Sequence, residues 1–200
     1  MNLQDSQAIF LCGLVAYLIT RAVYQRKAKV AASSASNHST SVDKTLILLV
    51  IVGQIFLPLA YVFTSWLNAV SFQPVAYSTP LGAGLWLVGM WLFWRSHADL
   101  GKNWSVGLEV QQNHQLVKHG VYRFIRHPMY ASFILFGLAQ AVLLPNAVAG
   151  PSALLAVLLL CMVRVPREEA MMCQAFGQEY KTYMQTTGSV FPSMLRRRVA

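Results

Sequence analysis

At 200 residues the chain has room for one soluble domain or a small bundle of membrane spans. It is 56% hydrophobic and 12% charged, with a mean hydropathy of +0.45. That is about half the charge of a water-soluble domain, so lipid must solvate much of the surface. The net charge of +9 comes from Lys and Arg set beside the apolar runs, a placement that suits anionic headgroups and argues against a nucleic-acid face.

The first apolar run covers 8–24. No basic segment precedes it, whereas Arg21, Arg26, Lys27 and Lys29 end or follow it, so it is expected to be a retained helix with its N-terminus outside. The Ala/Ser-rich stretch 31–40 lacks periodicity and is expected to be a linker. Runs 45–66 and 75–94 supply the second and third spans. Gly82, Gly84 and Gly89 in the third follow no strand, so they are expected to let helices approach closely.

A polar loop, 99–130, comes next. His97, His114, His119 and His127 are expected to share one cytoplasmic loop within 95–128, without HExxH or di-iron spacing, so no metal is predicted. Runs 129–144 and 147–163 form the last two spans. The turn-rich link 145–151 makes them a hairpin, whose two charged ends, 127–130 and 164–168, are then neighbours. Pro166 is expected to open a new helix running through Tyr180, with Glu168 and Glu169 at its positive end. Cys12, Cys161 and Cys173 show no redox or metal spacing and are expected to be reduced packing residues.

The predicted fold is therefore all-α: one polytopic membrane domain of about five spans, its cofactor-binding region within 99–192. All 16 Lys and Arg fall in or beside 25–44, 95–128 and 164–200, which the positive-inside rule puts in the cytoplasm with the C-terminus. The final Arg196, Arg197 and Arg198 are expected to grip anionic lipid at about 1 kcal/mol each.

Four ordered motifs occupy this polar face. The first is His114, Leu116-Val117, Gly120-Val121-Tyr122, Arg126-His127-Pro128 and Tyr130. Arg164 and Glu168-Glu169 form the second. Phe176-Gly177, Glu179-Tyr180 and Tyr183 make the third, and Gly188 with Phe191-Pro192 the last. Together they resemble the isoprenylcysteine carboxyl methyltransferase family, in its small prokaryotic form. The resemblance implies S-adenosylmethionine held by His114, Leu116, Val117, Tyr122, His127, Tyr130 and Glu168. Gln115, Pro128 and Met129 lie within the same stretches, and Glu109 corresponds to an upstream polar contact. It places Arg164 beside the substrate carboxylate, with Arg164 and Glu168 as the residues carrying the reaction.

The chemistry of these residue types agrees. An ionised carboxylate is already nucleophilic, so methyl transfer to it needs positioning in a dry site, without a general base. Arg suits bidentate carboxylate contact, and Tyr faces suit a sulfonium. Three other readings stay open. A phospholipid N-methyltransferase needs a base for its amine, a sterol-type reductase needs NADPH, and a non-enzymatic lipid-binding protein leaves Arg164 and Glu168 as interfacial anchors.

Overall fold

The computed structural model describes residues 3–31, 40–101 and 116–193, with backbone alone for 27–31. Its long helices are α1 (Leu3–Ala31), α2 (Ser41–Ile51) continuing through a π turn (Val52–Phe56) into α3 (Leu57–Phe63), α4 (Ser78–Leu100), α5 (Pro128–Leu143) and α6 (Ser152–Phe176). A nine-residue helix, α7 (Gln178–Thr186), follows. Leu3–Arg26 and Ser41–Phe63 are each long and apolar enough to cross a membrane, and α5 is a shorter apolar helix. Leu18, Ile19, Leu48, Leu49, Leu87 and Trp91 face outward along these helices, as lipid solvation requires.

Helix α5 is central, packed between α4 and α6, with α1 on α4 and α2 on α6. Phe10, Tyr17, Trp86, Phe93 and Phe136 interlock through edge and tilted ring contacts. Two of the three predicted small-residue contacts are present. A Cβ on Gly82 would lie 2.5 Å from Leu143, and one on Gly89 2.8 Å from Phe136. Gly84 faces open space instead, because it lies on another side of α4.

The π turn has a definite compensation. It releases the Gly53 carbonyl from regular helical bonding, and Gln140 Nε2 (2.9 Å) and Ser152 Oγ (2.7 Å) donate to that oxygen. At the same end, Asn146 donates to Leu67 O and Ser71 Oγ and accepts from the Val148 and Ala149 amides, pinning the loop after α3 to the α5–α6 turn. That turn delays α6 to Ser152, five residues beyond the predicted start.

Several expected boundaries move. Thr40, the last residue of the expected linker, caps α2, its Oγ1 accepting from the Asp43 amide while Asp43 reaches back to the Thr40 amide; residues 32–39 lie outside the described residues. His97 lies in the last turn of α4, outside any loop, with Nδ1 2.8 Å from Phe93 O. Most consequentially, no helix starts at Pro166. Helix α6 passes through it without a break and ends at Gly177, whose φ of 55° admits glycine readily. The ring projects from an exposed position, and the one lost backbone bond is outweighed by continuous helix packing. Glu168 and Glu169 are therefore mid-helix residues held by ion pairs and owe nothing to a helix start.

Candidate active site

Continuity of α6 puts Arg164 and Glu168 one turn apart on one face, with Arg164 Nη2 3.4 Å from Glu168 Oε1. The start of α5 lies opposite. Pro128 takes the first helical position, where no amide is needed, and fixes the entry of the chain. His127 and Tyr130 then face α6. Tyr130 Oη donates to Glu168 Oε1 at 2.5 Å, while the His127 ring lies between two carboxylates, Nδ1 3.5 Å from Glu168 Oε2 and Nε2 3.3 Å from Glu169 Oε1. The predicted meeting of 127–130 with 164–168 is thus present.

Arg126 completes the cluster. Its Nε (3.0 Å) and Nη2 (2.6 Å) donate to Glu169 Oε1, and its Nη1 donates to the carbonyls of Met184 and Thr187. The Arg126 and His127 amides donate to Gly188 O and Ser189 O, so the chain after α7 is laced alongside. Sequence reasoning did not pair Arg126 with Glu169. The helical period turns Glu169 inward, one turn after buried Val165, but does not name its partner.

The remaining expected residues divide. Val117 is buried with Leu92, Val121, Tyr122, Ile125 and Ala131, while Leu116 is half-buried beside it. This apolar cluster fixes the approach to the site. Gly120 (φ 58°) passes so close to Asp99 that a Cβ would meet its carboxylate, which accepts from the Val121 amide at 2.9 Å. Tyr122 donates to Ser96 O and accepts from Tyr183 Oη through its carbonyl. Its phenol pKa is raised by burial and by Tyr183, Asp99 and Glu168. Met129 points away, toward the aromatic core. Glu109, His114 and Gln115 lie outside the described residues.

Electrostatics favour a charged histidine. Burial works against the imidazolium, but hydrogen bonds and charge from Glu168 and Glu169 outweigh it and raise the His127 pKa above 6.5. The Glu169 carboxyl is held at about 2, chiefly by its hydrogen bond to His127, then by Arg126, against burial. His127 thus joins Arg126 and Arg164 in facing two carboxylates. Arg164 carries the least saturated cation, because its Nε is buried without a hydrogen-bond partner.

A pH dependence follows. A raised histidine pKa contributes stability that is complete below 6.5 and lost as pH rises through the folded value. The lowered Glu169 contributes above 4.5 and loses it only as pH falls toward about 2. Detergent-solubilised protein is expected to melt at lower temperature as pH rises from about 6 to 9, and His127→Gln to flatten that slope. Equal slopes in the two proteins would refute the assignment.

The fold and the site define an all-α integral membrane protein with a buried cluster of charges at one end of its bundle. Residues 82–174, which include the first two of the four motifs, match the model of the isoprenylcysteine carboxyl methyltransferase (ICMT) family. A probable protein-S-isoprenylcysteine O-methyltransferase of Oryza sativa subsp. indica is 33% identical over 87 residues, 44% of this chain and 46% of that protein. The protein-S-isoprenylcysteine O-methyltransferase of Tribolium castaneum is 34% identical over 90 residues, 45% of this chain and 32% of that protein. The matches span about half or less of these relatives. The solved structure of the eukaryotic intramembrane Ras methyltransferase ICMT superposes with a TM-score of 0.63 at 25% identity, over 94% of this chain and 67% of that one.

Proposed function

We propose that the protein transfers a methyl group from S-adenosylmethionine to the carboxylate of a lipid-modified or lipid-like substrate, isoprenylcysteine first among them. The observation that carries this reading is the convergence of Tyr130, His127 and Arg164 on the Glu168 carboxylate, with the Arg164 Nε buried and without a hydrogen-bond partner. The named activities of the relatives point to the same substrate class.

The donor set fits this cofactor. Glu168 offers a carboxylate beside a tyrosine and a histidine, the chemistry that receives ribose hydroxyls or an amino group. Val117, Tyr122 and half-buried Leu116 supply an apolar wall. Glu109, His114 and Gln115 are assigned to the same ligand by the family resemblance, with Pro128 setting the direction of His127 and Met129 serving packing. When bound, S-adenosylmethionine supplies an electrophilic sulfonium methyl.

The remaining work belongs to the chain. Arg164 holds the acceptor carboxylate by charge-assisted hydrogen bonds and sets its line of attack. His127, shared by two carboxylates, fixes Glu168 without taking a proton from the acceptor, which has none to give. Tyr130 holds Glu168 from α5. Burial of the cluster excludes water, and the adjoining apolar helices receive the lipid portion of the substrate. The placement of Lys and Arg supports an orientation with this face and the C-terminus in the cytoplasm and the N-terminus outside.

Calorimetry on the purified protein separates the readings. S-adenosylhomocysteine is expected to bind with one-site heat and NADPH to give none. Heat from NADPH alone would reject methyl transfer in favour of reduction.

A further inference from the structure

Helix α2 lies outside the region matched to the family, yet its first turn carries a buried charge against the site. Thr40 and Asp43 form a capping box in which every bond to the Asp43 side chain uses Oδ2: Thr40 N at 3.0 Å and Thr40 Oγ1 at 2.7 Å. The other oxygen, Oδ1, is buried without a hydrogen-bond partner and lies 3.7 Å from Arg167 Nη1. Capping alone does not require this. A box residue needs one acceptor, which an uncharged side chain supplies, and it works at the surface. Asp43 instead is 1% exposed, and an ionised carboxylate so placed costs several kcal/mol unless cations face it.

The cation within reach is Arg167, and Arg164, one turn before it on α6, adds its charge to the same carboxylate. They stand three residues apart on one face of α6, Arg167 half-exposed and Arg164 nearly buried. Leu46, one turn further along α2, packs in one cluster with Tyr130, Cys161 and Val165, so α2 is fixed beside the site. Arg164 needs such a neighbour. Its contact with Glu168 is long, and Glu168 is shared with Tyr130 and His127.

We infer that Asp43 is a positioning residue: from α2 its carboxylate sets the Arg164–Arg167 face of α6, aiming the Arg164 guanidinium at the acceptor carboxylate. The inference rests on the methyl-transfer reading. It makes the acceptor half of the site depend on α2 and the cofactor half independent of it.

The test uses the full chain in lipid nanodiscs, with N-acetyl-S-farnesylcysteine as acceptor. Asp43→Asn keeps an acceptor for Thr40 and removes the charge. It is expected to raise KM for the acceptor about tenfold while S-adenosylhomocysteine affinity stays within about twofold. Asp43→Glu is expected to restore most of the acceptor affinity. Thr40→Ala, which removes the cap and leaves the charge, is expected to lower the melting temperature without moving KM. A purely structural Asp43 would shift acceptor and S-adenosylhomocysteine together, or behave like Thr40→Ala. Either result, or an unchanged KM in Asp43→Asn, overturns the inference while wild-type turnover still supports the function. A wild type that binds S-adenosylhomocysteine but methylates no carboxylate overturns both.

Discussion

Replacing Arg164 with Ala is expected to reduce methyl transfer on the order of a thousandfold, while S-adenosylhomocysteine binds within about threefold of wild type. The split follows from which bonds the side chain already makes. Its contact with Glu168 is 3.4 Å, and its Nε has no hydrogen-bond partner, so little of its donor capacity is spent inside the protein. Glu168 does not depend on it, since Tyr130 Oη and His127 Nδ1 hold that carboxylate from α5. Glu168→Ala should show the opposite pattern, with S-adenosylhomocysteine affinity falling at least about tenfold as the paired acceptor is lost. Lys at 164 retains the charge but replaces a planar fork with a point, so only partial rescue is expected. Initial rates and calorimetry on the three variants decide the matter. Full turnover in Arg164→Ala would remove that residue from the acceptor site.

Most of the architecture was legible because lipid imposes simple demands on sequence. The apolar runs found the five long helical segments among the described residues, and the 145–151 link correctly made α5 and α6 a hairpin with adjacent charged ends. Errors fell where two local rules competed. Pro166 after an apolar run reads as a helix start, but an outward-facing proline inside a well-packed helix removes only one hydrogen bond. The helix consequently runs on to Gly177. Thr40 and Asp43 carried a capping-box pattern that the surrounding Ala/Ser composition masked. Gly84 failed as a packing glycine because spacing alone does not say which face of α4 meets α5.

At the site, the sequence identified the residues more readily than their division of labour. His127, Tyr130, Arg164 and Glu168 do come together. Arg126 and Glu169 were invisible as a pair because they join segments 43 residues apart, and no periodic pattern records such a contact. Tyr122 belongs to the site's wall, with its hydroxyl committed to Ser96 O, whereas a motif position cannot reveal that a polar group is already satisfied.

That hidden pair carries the second large effect. Arg126→Ala is expected to destabilise the folded state by about 3–5 kcal/mol, because one partner of a buried ion pair disappears while the other stays charged. The side chains are 8% and 17% exposed, so water cannot take over the missing bonds. More is lost than the pair itself. The carbonyls of Met184 and Thr187 lose their donor, and the chain after α7 loses the side-chain half of its attachment to the entry of α5. Since His127 is next in sequence and shares Glu169, its ring loses its fixed direction. S-adenosylhomocysteine binding is therefore expected to fall with stability, unlike in Arg164→Ala. The combined Arg126→Ala, Glu169→Ala variant should be less destabilised than the two single losses added together, by about 1–3 kcal/mol, since neither charge is then stranded. Denaturant unfolding in detergent measures each term. Simple additivity would show that Arg126 and Glu169 act separately, and the clasp joining α5, α6 and the chain after α7 would have to be assigned to the backbone hydrogen bonds at Gly188 and Ser189 instead.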